Sequence, residues 1–313
     1  MAEVAPGGWS IEIDTPWPVG PVNVYLIDDD PLTLIDVGQR TPEALADLEA
    51  GLAAAGRRVE DLERIILTHQ HIDHTGAAAS LVERSGAELC GLDSLADWME
   101  RYPASLDDED AYATELLRAH GVTAAGAERG EHRGGQEFGD PAVLDRRLHD
   151  GDTIGRFRVL FRPGHSPYDT VLLDSERGLL FGGDHLLHWP STPILTPAAN
   201  GRRRAFAEYQ ESLRATGALE LDTILPGHGE LVRDHRATIA ARFERYARIT
   251  EQTLGVVTSE PQTAAEIAAQ LKGGLPDRTA FFRLCDVLGH LDQLVDAGAI
   301  TSLKGTVPFR WAL

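Results

Sequence analysis

Thr68-His69-Gln70-His71-Ile72-Asp73-His74 places three imidazoles and a carboxylate within six residues. The stretch directly follows Leu62–Leu67, whose apolar run Ile65, Ile66, Leu67 has the character of a buried strand. A strand that ends in a tight group of nitrogen and oxygen donors is a metal-site signature. Histidine and aspartate are first-choice ligands of zinc and other borderline divalent ions. The competing reading is a solvated polar loop.

Three further junctions repeat the arrangement. Phe157–Arg162 leads to Pro163-Gly164-His165, Leu179-Leu180-Phe181 leads to Gly182-Gly183-Asp184, and Thr223-Ile224-Leu225 leads to Pro226-Gly227-His228-Gly229. Glycine beside each ligand lets the backbone turn tightly. Strand-end loops are where a rigid scaffold usually presents its chemistry. Four such junctions favour a metal centre over chance.

The order HxHxDH, GH, GDH, PGHG resembles the metallo-β-lactamase superfamily, in its glyoxalase II-like and small endoribonuclease-like branch, over roughly residues 10–250. The resemblance implies that His69, His71 and His165 hold one ion, that Asp73, His74 and His228 hold a second, and that Asp184 bridges them. Several true β-lactamases carry Cys where this chain has Asp184. The carboxylate points instead towards hydrolases of esters, thioesters, lactones and phosphodiesters. The Glu of the HxExD form found in iron redox members is absent, since His71-Ile72-Asp73 stands there. Asp36, in Asp36-Val37-Gly38, is either a hydrogen-bond acceptor behind the metal loop or a turn carboxylate.

Composition narrows the class. At 313 residues the chain makes one large domain or two unequal ones, and its 42% hydrophobic content supports a sizeable core. No apolar run reaches the length of a membrane span. Met1–Trp9 lacks the basic and apolar regions of a signal peptide, so the cytoplasm is expected. Cys90 and Cys285 lie far apart without a CxxC pattern, which suits two buried thiols better than a disulfide. A net charge of −20 disfavours nonspecific nucleic-acid binding, which works through Lys and Arg. Arg202-Arg203-Arg204, the compact basic run, reads as a solvated helix start.

Along the chain, strands are expected at Ser10–Asp14, Val22–Ile27 and Leu32–Ile35, then a helix capped by Thr41 with Pro42 in its first turn. Helices at Gly76–Ser85 and Ser94–Tyr102 flank a strand at Ala87–Gly91. A helical insertion at about 100–135 reads as a cap over the metal cleft. Val143–Leu148 and Asp150–Ile154 open a second run of strands, which closes with a helix at Arg202–Thr216 and a strand at Leu221–Leu225. A long helix is expected at Leu231–Thr253. The fold class is therefore α/β. An αββα sandwich, which the resemblance also implies, occupies 1–255, and a winged-helix-like domain occupies 256–313, with helices at Thr263–Leu271 and Phe281–Ala297 and a hairpin turning at Lys304-Gly305. Residues 257–313 carry six acidic and five basic side chains with no basic face, so a structural or homodimer-forming role is favoured over DNA binding.

The expected chemistry is hydrolysis by a hydroxide shared between two divalent ions about 3.5–4 Å apart. Zinc is the leading ion, with manganese or iron as alternatives. Asp73 is the candidate catalytic residue, as ligand and proton relay. Tyr168, His185 and His188 are candidate contacts to a small-molecule substrate, each weighed against a structural role. A carboxylic thioester or ester leads as substrate. An endoribonuclease and a lactonase use the same site chemistry and stay open.

Overall fold

The computed structural model describes residues 1–123, 138–189, 204–271, 274–275, 279–303 and 307–313. The expected turn at Lys304-Gly305, the glycine-rich stretch 126–135 and Arg202-Arg203 lie outside the described residues. Two compact units account for the chain. The first comprises Met1–Leu106, Gly134–Thr192 and Ala218–His235; the second comprises Asp107–Arg133, Pro193–Gly217 and Arg236–Leu313.

Two sheets build the first unit. One has seven strands in sequential order: β1 (Ala2–Ala5), β2 (Gly8–Ile13), β3 (Val22–Ile27), β4 (Thr33–Ile35), β5 (Arg64–Ile66), β6 (Glu88–Leu92) and β7 (Arg146–Leu148). Pairing is antiparallel up to β4 and parallel from β4 to β7. The other sheet runs β12 (Thr223–Pro226), β11 (Leu179–Gly183), β10 (Thr170–Asp174), β9 (Phe157–Phe161), β8 (Thr153–Ile154), with β11 and β12 parallel. This topology corrects one expectation. The sequence pattern groups Val143–Leu148 with the second run of strands, yet β7 pairs with β6 and completes the first sheet. The chain changes sheets at the turn around Gly151, whose φ of 88° suits glycine.

Strand periodicity explains how one sheet serves two cores. Successive side chains point to opposite faces. Leu26, Leu34, Ile65 and Leu89 point outward, to a core they share with Leu48 and Leu52 of helix Pro42–Ala54 and Leu81 of helix Ala78–Ser85. Their neighbours Ile27, Ile35, Ile66 and Cys90 point inward and meet Phe157, Val159, Leu172, Phe181 and Leu225 of the second sheet. Both faces are covered, so these strands are apolar throughout rather than alternating.

In the second unit, helix Ala104–Ala119 buries Ala113 and Leu117 in one core with Ile267 of helix Ala264–Gln270 and Leu284, Leu288 and Leu291 of helix Ala280–Asp296. The helix of the expected insertion thus packs with the C-terminal segment. Thr263 caps its helix in a capping box with Glu266. An antiparallel pair, β13 (Thr301–Leu303) and β14 (Arg310–Ala312), follows. Arg204 pairs with Asp296, both well exposed, in keeping with a solvated helix start. No helix among the described residues is long and apolar enough to cross a membrane.

Candidate metal centre

The ligand positions follow strand ends, with Asp73 and His74 in the short helix Ile72–Thr75 beyond β5. His69 follows β5, His165 follows β9, Asp184 follows β11 and His228 follows β12. Strands β9 and β11 are each antiparallel to β10, and β12 is parallel to β11, so the three loops leave the second sheet at one end. Thr170 N–H donates to Thr68 O at 3.0 Å and joins the loop after β5 to them.

Two groups of donors result, His69, His71, His165 with Asp184, and Asp73, His74 with His228; within each, the donor atoms lie within 4.8 Å of one another. His71 Nδ1 sits 3.0 Å from His69 Nε2 and 2.9 Å from His165 Nε2. His228 Nε2 is 3.2 Å from Asp73 Oδ2. Asp184 stands between the groups, 3.6 Å from His165 Nε2, 3.6 Å from His228 Nε2 and 3.5 Å from His74 Nε2. Gly227 is obligatory here, because a Cβ would strike Asp184 Oδ1 and the His74 ring.

The far side of each ring sets its tautomer. His74 Nδ1–H donates to Asp36 Oδ2 at 2.8 Å, and His228 Nδ1–H donates to Pro21 O at 2.7 Å. Thr68 Oγ1 donates to Asp36 Oδ2 at 2.8 Å, so it accepts from His69 Nδ1–H at 3.0 Å. Each of these three rings therefore turns its Nε2 inward. Asp36 also accepts from Thr68 N–H, and it adopts φ 57°, a left-handed conformation that Asp tolerates better than most residues. Of the two readings of Asp36, the structure supports the acceptor behind the metal loop.

The donors fit a divalent ion. His74 Nε2, His228 Nε2 and Asp184 Oδ1 are buried without a hydrogen-bond partner, and all three belong to the donor groups. Such atoms are costly unless something satisfies them. A buried set of imidazoles and carboxylates, without sulfur, suits zinc, manganese or iron. Electrostatics agree. Burial disfavours the charged form of His74, yet Asp36, Asp184 and Asp73 outweigh it and push its pKa up to about 10. Burial and the neighbouring imidazoles hold His69 well below its ordinary value. Burial would raise Asp73, but His74 and His228 keep it below the usual carboxylate range. The carboxylate side of the centre attracts positive charge, while His69 on the other side stays neutral.

The proposed substrate contacts occupy differing places. Tyr168 is buried in the outer core. His185 is fully buried next to Asp184. His188 is exposed, and its Nδ1 accepts from Glu230 N–H at 3.2 Å beside the His228 loop. Other site residues escaped the sequence reading. Asn23 and Tyr25 on β3 donate to Pro226 O at 3.1 and 2.7 Å and fasten the loop of His228. Their signal was faint: a polar Asn within an otherwise apolar strand. Gln70 and Ser166, both buried, share a 2.5 Å hydrogen bond and gave no signal.

Comparisons with known proteins agree with this geometry. The family model for the Metallo-beta-lactamase superfamily matches residues 17–228. The chain is 32% identical over 300 residues to the Probable metallo-hydrolase YqjP of Bacillus subtilis, covering 94% of this chain and 93% of that one. It is 24% identical over 295 residues to an atrochrysone carboxyl ACP thioesterase of Emericella nidulans, covering 92% and 79%. A metallo-beta-lactamase family protein of Thermus thermophilus superposes with a TM-score of 0.84 at 25% identity, over 99% of both chains. Strand-end ligands, an inward-facing donor set and these matches lead to one conclusion: the chain belongs to the metallo-beta-lactamase superfamily.

Proposed function

We propose that this protein is a metal-dependent hydrolase of a carboxylic thioester or ester, acting on a small molecule through two divalent ions, with zinc as the preferred ion. The observation that carries the reading is the position of Asp184, within 3.6 Å of ligands from both donor groups. A carboxylate so placed can reach a cation held by either group, which a single-ion site does not require. When bound, the ions supply the positive charge that acidifies water and polarises a carbonyl.

The chain's own residues do the rest. His69, His74 and His228 keep their inward tautomers through Thr68, Asp36 and Pro21 O, which orients the donors before substrate arrives. Asp73, only 9% exposed, takes a proton from the attacking water at a carboxylate oxygen and returns it to the departing sulfur or oxygen. The carbonyl carbon gains the water oxygen, the bond to the leaving group breaks, and a carboxylic acid and a thiol or alcohol are released.

Substrate class is supported by Asp184 standing where true β-lactamases often carry Cys, by the net charge of −20, and by similarity to a protein named as an ACP thioesterase. We assign residues 256–313 a winged-helix-like, structural role. The test is a panel of acyl-CoA, acyl-glutathione, lactone and RNA substrates, with the protein's metal content measured by elemental analysis. Thioester turnover that disappears in Asp73→Ala is the expected result. Cleavage of RNA or lactones alone, by fully metal-loaded protein, would overturn the assignment.

A further inference from the structure

Within the metal loop, Gln70 lies between two ligands but takes no place among the donors. Its neighbours His69 and His71 face the centre, while Gln70 Oε1 accepts a hydrogen bond from Ser166 Oγ at 2.5 Å. Ser166 directly follows His165, the third imidazole of the same group. The bond therefore joins the two loops that must meet to assemble that group.

Both partners are positioned from behind. Gln70 is 2% exposed and Ser166 1%. Thr75 Oγ1 donates to Gln70 O at 3.2 Å. Ser166 Oγ accepts from Tyr168 N–H at 2.9 Å, and Ser166 N–H donates to Asp169 Oδ2 at 2.8 Å. The serine hydroxyl thus has one proton to give, and it goes to Gln70. The other donor group does not use this connection. His74 is held by Asp36, and the loop of His228 is fastened to Asn23 and Tyr25.

We propose that Gln70 and Ser166 are positioning residues: their buried hydrogen bond sets the spacing of His69 and His71 against His165 and so tunes the cation affinity of the three-imidazole group selectively. The proposal rests on the two-cation reading above. Hydrogen bonds behind metal ligands commonly govern affinity by about 10–100-fold. Selectivity follows because this hydrogen bond links the loop of His69 and His71 to that of His165 and makes no contact with His228 or its loop, whereas the support from Asp36 is shared by both groups.

Chelator competition on the full-length protein tests the clamp, with Zn²⁺ or Co²⁺ as probe and no substrate present. The release step of the three-imidazole group is identified as the one missing in His165→Ala. Gln70→Met keeps the side-chain length without the acceptor, and Ser166→Ala removes the donor. In both, that step is expected to weaken about tenfold or more, with altered Co²⁺ absorption bands, while the second step stays within about twofold of wild type. Ser166→Thr keeps a hydroxyl and is expected to restore the first step. A misfolded variant would weaken both steps together, and equal weakening counts against the clamp. Wild-type affinity in Gln70→Met and Ser166→Ala, with two ions bound by the wild type, would sink the clamp alone. A wild type that takes up no cation would sink the metal reading and the clamp with it.

Discussion

Asp36 illustrates how much one side chain can hold in place. Its two oxygens accept from Thr68 N–H, Thr68 Oγ1 and His74 Nδ1, all at 2.8 Å, and so reach His69 through Thr68. Asp36→Ala would leave those donors buried and unpaired and free two rings to rotate. A loss of about 10–100-fold in metal affinity or activity is expected, measured by chelator competition and initial rates. Cys90 shows the opposite behaviour. Burial, with Glu88 nearby, pushes its thiol up to about 12, and the side chain is fully buried in the inter-sheet core. Thiolate is the reactive form. Alkylation of Cys90 in the native protein should therefore be slower than in denatured chain by orders of magnitude, as read by mass spectrometry.

Helix Pro42–Ala54 begins at Thr41, whose side chain accepts from Ala44 N–H at 3.1 Å in extended backbone. Thr41→Ala leaves a helix-end donor without that partner, and about 1 kcal/mol of stability should be lost in urea unfolding. In the second unit, helix Ala104–Ala119 is followed by His120, whose ring stacks on Trp311 at 5.4 Å and lies 5.3 Å from Phe309. Burial depresses its pKa to about 4. An unfolded chain protonates this imidazole at about 6.5. As pH falls below that value, the unfolded state takes up a proton that the folded state refuses. Stability is thus complete above about pH 6.5 and declines towards pH 4, by no more than about 3 kcal/mol. His120→Phe should flatten that part of the stability–pH curve.

At the scale of the molecule, the candidate donors come from four segments, around residues 69–74, 165, 184 and 228, so that a cation held there would cross-link distant parts of the chain. An ion that binds only the folded state adds about 2.7 kcal/mol at a hundredfold excess over its dissociation constant. Chelation should lower the melting temperature by several degrees and abolish hydrolysis, and added Zn²⁺ should restore both. Unchanged melting and turnover after exhaustive chelation would contradict the candidate centre.

Much of this was legible in the residues themselves. His69, His71, Asp73, His74, His165, Asp184 and His228 could each be named from strand-end motifs, because apolar runs and glycine turns leave local marks. Thr41 and the adjacent Pro42 marked a helix start for the same reason. Other features carried no local mark. Membership of β7 in the first sheet depends on pairing with β6, where Arg146 meets the distant Cys90. The helix expected from Leu231 begins instead at His235, because Val232 first pairs with Ile224. Helix Ala104–Ala119 shares a core with elements far along the chain, as Leu117 and Ile267 do. Gln70 and Ser166 are ordinary residues until two loops bring them to 2.5 Å. Residue type and local periodicity marked which groups make up the candidate metal centre. Only the tertiary structure decided what stands behind them, because hydrogen bonds between distant loops are set by how sheets pack and not by spacing along the chain.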